Sequence, residues 1–211
     1  MASVDSLEAL LQEELKDLYD AEKQITKALP KMIKKATADA LRQGLEDHLR
    51  QTEQHIERLE QAFEHLGIPA RAKKCQGMKN LIAEGDDMIG DADEDATRDA
   101  VIIAGAQKVE HYEIASYGTC RTWATQVGHN EVAQLLEETL DEEKEADARL
   151  TEVAESLVNS AAADKGGQRG QAGDVRGSSS RAGRQVAADR NRGQSSLRRA
   201  TRTGGSSRSR R

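Results

Sequence analysis

The sequence predicts an all-α protein: a four-helix bundle in which a long crossover with a short helix of its own joins two helical hairpins, ahead of a tail that does not fold. Three observations carry this. Up to Ser160 the chain is rich in Ala, Leu, Glu, Lys and Gln, with β-branched runs nearly absent, the composition of strong helix formers. Apolar residues there recur every three or four positions, the period of one helix face. After Ala163 the text changes to DKGGQRGQAGDVRGSSSRAGRQ and ends GGSSRSRR; Gly, Ser and Arg dominate without periodicity, so this stretch buries too little apolar surface to fold alone.

The first helix reads from about Asp5, with Asp5 and Glu8 in capping-box spacing. Leu7, Leu11, Leu15, Leu18, Ile25 and Leu29 line one face. Pro30 should kink or end the helix, although Met32 and Ile33 keep the pattern for another turn. The second helix runs from about Asp39 to Leu66 through Leu41, Leu45, Leu49, Ile56, Leu59 and Phe63, and stops at Gly67 with Pro69 just beyond. A shorter amphipathic piece, Lys74 to Ile89, follows with Met78, Leu81, Ile82 and Ile89 on its apolar side. The third long helix spans about Asp95 to Val127 and is broken by Gly128; Asn130 is the expected cap of the fourth, which passes Leu136, Leu140, Leu150 and Leu157 to about Ser160. Tight loops make each pair antiparallel, and a long connection between pairs is the ferritin-like variant of the four-helix bundle. The expected division is residues 1–160 as bundle and 161–211 as disordered Arg/Gly/Ser-rich tail.

Charge divides the chain in the same place. From Asp164 onward there are 13 Lys/Arg against 3 Asp/Glu, leaving 18 basic and 34 acidic residues before it. The overall charge of −6 therefore combines an acidic bundle with a basic tail. Only Cys75 and Cys120 occur, widely spaced, which argues against a disulfide framework and fits a reducing compartment. The N-terminal segment is acidic and amphipathic, unlike a signal peptide, and Val101–Ala106, the longest apolar stretch, is too short to span a bilayer. The expectation is a cytoplasmic protein with no membrane association.

Helical spacing also sorts the polar residues. In QKVEHYEIASYG (107–118), Glu113 falls on the apolar line through Ile102, Ala106, Val109 and Cys120; Glu110 borders it with Tyr117, and His111 points outward. On the first helix Glu22 lies between Leu18, Ile25 and Leu29. On the second, Thr52 occupies the centre of the stripe, flanked by His48 and His55. On the fourth, Glu143 lies between Leu136, Leu140 and Leu150, with Asp147 one turn on. Folding the first hairpin about residues 36–37 sets Glu22 near His48 and His55. Folding the second about Gly128 sets Glu113 opposite Glu143 and Glu110 opposite Asp147. No lysine or arginine shares these faces except Lys108 at the margin, and unpaired buried carboxylates are costly. A pair of iron or manganese ions would neutralise them, since carboxylate with imidazole is the ligand set of non-haem centres. The bland reading is that each histidine is a satisfied structural residue and each inward acid is partnered by Tyr19, Tyr112 or Tyr117.

LYDAEKQ, RLEQAFEHLG, GAQKVEHYEIASYG and LDEEKEAD resemble the YciE/YciF-type ferritin-like proteins, over about residues 4–160. The resemblance implies a rubrerythrin/ferritin-like bundle, often a homodimer, linked to bacterial stress response. The wider ferritin-like pattern is Glu, Glu-x-x-His, Glu, Glu-x-x-His on successive helices. Glu22, His55, Glu113 and Glu143 match it. Thr52 and Ala146 stand where a Glu and a His are expected, leaving His48, Glu110 and Asp147 as compensating donors. The candidate ligands are thus Glu22, His48, His55, Glu110, Glu113, Glu143 and Asp147. The leading expectation is a stress-response protein with a di-metal site handling iron or peroxide. The alternatives are a catalytically silent association protein, and a DNA-associated protection protein whose tail, residues 164–211, binds nucleic acid or another polyanion weakly and without sequence preference.

Overall fold

The computed structural model describes residues 4–164, where every regular element is helical. Helix α1 runs Leu7–Lys35, α2 Asp39–His65, α3 Gln76–Asp91, α4 Asp95–Val127 and α5 Asn130–Val153, extended by a π-helical turn at Ala154–Val158 and by helix over 159–164. The bundle boundary expected at residue 160 therefore lies inside a helix. The tail over 165–211 is outside the described residues.

The ends of the helices differ from expectation in three places. Ser6, not Asp5, caps α1: its Oγ accepts from Ala9 N at 3.1 Å, the usual way an N-cap hydroxyl satisfies an orphan donor. Pro30 lies within α1 without ending it. It is exposed, so water can serve the carbonyl it leaves unbonded, while Met32 and Ile33 pack on the core and hold the last turn. The cap of α5 is His129, whose side chain makes no cap bond but instead brings Nε2 within 2.9 Å of Glu8 Oε2. The glycine stops hold as read: Gly67 (φ 67°) and Gly128 (φ 89°) are both left-handed, a conformation glycine adopts without a Cβ penalty.

The four long helices form a ring in which α1 neighbours α2 and α4, and α5 neighbours α2 and α4; α3 lies over α4 and α1. The three-residue loop between α1 and α2 is pinned from α4. Buried Asp99 accepts from Thr37 N (2.8 Å), Thr37 Oγ1 (2.6 Å) and Ala38 N (2.8 Å). The apolar interior is divided. One cluster gathers Leu11, Leu15, Leu18, Phe63, Leu136 and Leu140 at one end, and another gathers Ile25, Leu29, Leu41, Leu45, Ile102 and Leu150 at the other. Between them lies a polar layer of Glu22, Thr52, His55, Glu113 and Glu143, each at most 1% exposed.

Candidate metal centre

Each long helix delivers its side chains to this layer by local geometry. Glu22 sits between Leu18 and Ile25, one from each apolar cluster, so α1 cannot turn it outward without exposing both. His48 and His55 are seven residues apart, two turns on one face of α2, with ring centroids 6.3 Å apart. Glu110 and Glu113 come from successive turns of α4, and Glu143 from α5.

His55 is the most tightly surrounded group. Its Nδ1 lies 2.9 Å from Glu143 Oε1 and 3.6 Å from Glu22 Oε1, yet neither contact has hydrogen-bond geometry. The ring nitrogen and the two carboxylates are close enough to interact by charge. On the other side, Nε2 is 2.8 Å from Glu142 Oε2. Arg58 clasps that carboxylate through two N–H donors at 2.6 and 2.8 Å. His48 Nε2 lies 3.4 Å from Glu110 Oε1 and 4.0 Å from Glu143 Oε2. Tyr117, fully buried, donates its hydroxyl proton to Glu22 Oε1.

Much of the layer is left without partners. Glu22 Oε2, Glu110 Oε2, both oxygens of Glu113, both of Glu143, and Nδ1 of each histidine are buried and unbonded. Buried polar atoms are ordinarily bonded, and here eight from six residues are not. No lysine or arginine among the described residues is ion-paired to Glu22, Glu110, Glu113 or Glu143; Lys108 turns outward to Glu84. The donor atoms form two overlapping groups, His48–Glu110–Glu113–Glu143 and Glu22–His55–Glu143, each with its atoms within 4.8 Å of one another. Glu143 belongs to both. Two imidazoles and four carboxylates around two adjoining points fit a pair of divalent ions of the iron or manganese type.

Without metal, protons must moderate the charge. Burial, reinforced by the neighbouring Glu143 charge, pushes Glu110 and Glu113 well above the usual carboxylate range. Burial would also push Glu143 up, but its contacts with His55 and His48 outweigh this and keep it ionised. His55 is driven down by burial and up more strongly by Glu143 and Glu22, and settles at about 10. His48, where burial dominates, is held below its ordinary value.

Six of the seven residues singled out in the sequence meet in this layer. Asp147 does not. It accepts from Gln107 Nε2 at 3.0 Å and lies 3.5 Å from His111 Nε2, at the bundle's edge. The sequence register set Glu110 opposite Asp147, but Gln107 takes that position and Glu110 meets His48 and Glu143. Thr52 is in the layer, but its Oγ1 donates to His48 O at 2.9 Å and so is spent on its own helix. Glu142 and Arg58 were not anticipated. Their only sequence signal is adjacency, Glu142 beside Glu143 and Arg58 three residues past His55.

A family model described as "Domain of unknown function (DUF892)" matches residues 6–163. The chain belongs to this DUF892 family. It is 45% identical to Protein YciF of Escherichia coli (strain K12) over 152 residues, 72% of this chain and 92% of that protein. Among solved structures, that of the E. coli stress protein YciF matches with a TM-score of 0.71 and 43% identity, covering 74% of this chain and 98% of the other. YcfI of Rhodopseudomonas palustris, for which a structural role has been suggested, matches with a TM-score of 0.70 and 45% identity, over 71% and 96%. A Xanthomonas campestris pv. campestris protein matches more distantly, with a TM-score of 0.59 and 26% identity, over 74% and 95%. The likeness to the YciE/YciF type read from the four motifs is thus met, and this DUF892 chain is a relative of a stress protein. Among its described residues no helix is long and apolar enough to cross a membrane.

Proposed function

We propose that this protein is a stress-response metalloprotein whose polar layer holds two iron or manganese ions. Glu22 and His55 serve one position, His48, Glu110 and Glu113 the other, and Glu143 is common to both. The observation that supports this most directly is the set of eight buried, unbonded polar atoms, with no lysine or arginine among the described residues paired to the four acids. A metal pair would take up the unused carboxylate lone pairs and His55 Nδ1, with His48 offering Nε2; protons account for the charge but leave the lone pairs unused. Arg58 and Glu142 would position His55 by fixing Nε2 and leaving Nδ1 free as a ligand. Tyr117 would orient Glu22 and is itself kept protonated by burial and the adjacent carboxylates. The apolar clusters on either side exclude bulk water from the layer. Bound ions of this type supply Lewis acidity and, with iron, one-electron redox capacity, the chemistry needed to handle iron or peroxide.

The test is metal content. The full-length chain, loaded separately with Fe(II) and Mn(II) under anaerobic conditions and desalted, should retain close to two ions per chain by elemental analysis. Retention of none would end this reading. The second reading, a silent helical protein, then stands. It draws on the suggested structural role of the R. palustris relative and on the charge pairing of a protonated His55 with Glu143 and Glu22, 2.9 and 3.6 Å away.

A further inference from the structure

A cleft between α2 and α5 ends on two residues of the layer that each carry an unbonded polar atom. Its walls are Gly44 and Leu45 from α2 and Ala146 from α5, Arg149 stands at the rim, and His48 and Glu110 form its floor. Both floor residues are more than nine-tenths buried, and His48 Nδ1 and Glu110 Oε2 have no partner. About 40 Å³ is free for water-sized molecules, room for roughly three waters at the 10–15 Å³ each requires. At the other end of the layer Glu22, His55 and Tyr117 are at 0% exposure among the described residues.

Two small residues make the cleft. Gly44 lies in the interior of a regular helix, where glycine costs about 1 kcal/mol against alanine. A Cβ at Gly44 would meet nothing within 4 Å, so packing does not require the glycine; what its missing side chain leaves is space. Ala146 stands across from it on α5, at the position where the wider ferritin-like pattern carries a histidine. A side chain longer than alanine there would reach into the same space.

We infer that this cleft is the access route by which a small uncharged ligand, the size of dioxygen or hydrogen peroxide, reaches the His48–Glu110 end of the layer. The largely apolar walls favour a neutral molecule over a hydrated ion, and the narrow volume excludes organic substrates. The inference rests on the metal reading for what the ligand meets, but not for the route. A narrower cleft of about 20 Å³, lined by Met32 and Ile82 on the α3 side, also touches His48 and Glu110 and is the competing route.

Nitric oxide is a suitable probe, because its adduct with ferrous iron is read by absorbance without turnover. In the Fe(II)-loaded full-length protein, Gly44→Leu and Ala146→Leu should each slow nitric oxide association at least tenfold with the iron content unchanged. Ile82→Phe, which fills the α3-side cleft, should change it less than twofold. Unchanged association in both cleft variants, or equal slowing by Ile82→Phe, would overturn the route. If the parent holds no iron, the metal reading fails, and the route is tested on the metal-free chain by exchange of the imidazole C2 proton in D2O. His48 exchange, followed by mass spectrometry with His55 as internal reference, should slow tenfold in Gly44→Leu. The same rate in parent and variant would overturn it.

Discussion

Replacing Glu113 by leucine separates a metal ligand from a structural acid, because the two roles predict opposite changes. Glu113 is 0% exposed with neither carboxylate oxygen bonded, and burial pushes it well above the usual carboxylate range when no metal is present. Leucine is somewhat larger but matches its reach along the helix face and suits the apolar clusters on either side. Exchanging buried ionisable groups for well-packed apolar ones is often stabilising by about 1–4 kcal/mol. For a chain of this size each kcal/mol moves the midpoint by about 2–4 °C, so the metal-free variant should melt roughly 2–16 °C higher than the metal-free parent. The loaded proteins should reverse the order. At a free metal concentration a thousand times Kd, binding stabilises by about 4 kcal/mol, or roughly 8–16 °C. Glu113→Leu should lose most of that gain together with its bound metal. Differential scanning calorimetry with and without Mn(II), paired with elemental analysis, gives all four values. A metal-free variant less stable than its parent, combined with no metal effect in the parent, would refute the reasoning and leave Glu113 a structural residue.

Asp99→Ala removes the acceptor of three donors in the α1–α2 loop. At about 1.5–3 kcal/mol for each bond to a charged group, less what water recovers, the chain should lose several kcal/mol by chemical denaturation, yet still bind metal at full stoichiometry. Arg58→Ala frees Glu142 and with it His55 Nε2, so metal affinity by competition with a chelator should fall about 10–100-fold, the usual effect of losing a ligand's supporting partner. In the metal-free protein Glu110, Glu113 and His55 all bind protons more tightly folded than unfolded. Such groups stabilise fully below their unfolded values and lose that contribution as pH rises toward their folded ones. From pH 7 to 9, above the window in which His48, Glu142 and Glu143 act in the opposite sense, the metal-free melting temperature should fall, and the rise caused by Mn(II) should widen. A constant difference would contradict this. For the basic residues 164–211, gel shifts at low salt should show duplex DNA retarded by the full chain and not by one ending at residue 163, with the shift fading as salt rises; equal binding by both removes the tail's role.

Some of this architecture is local in origin and therefore legible along the chain. A helix face is fixed by a period of 3.6 residues, so the inward direction of Glu22, His55, Glu113 and Glu143 followed from their apolar neighbours alone. Gly67 and Gly128 stop their helices because only the backbone at that residue decides a left-handed turn. What periodicity cannot carry is the axial offset of one helix against another. A helical turn advances 5.4 Å, and packing of the side chains between helices sets that offset. An error of one turn is enough to exchange Glu110 for Gln107 opposite Asp147, and that is the difference found. Tertiary structure alone therefore moved Asp147 to the edge with His111 and brought Glu110 to His48. It also let both histidines enter the layer where the sequence left a choice between them. Arg58 and Glu142 show the same division. Neither lies on an inward stripe, yet a long side chain at the edge of one helix reaches the edge of the next wherever the two axes come close, a distance that no single helix encodes.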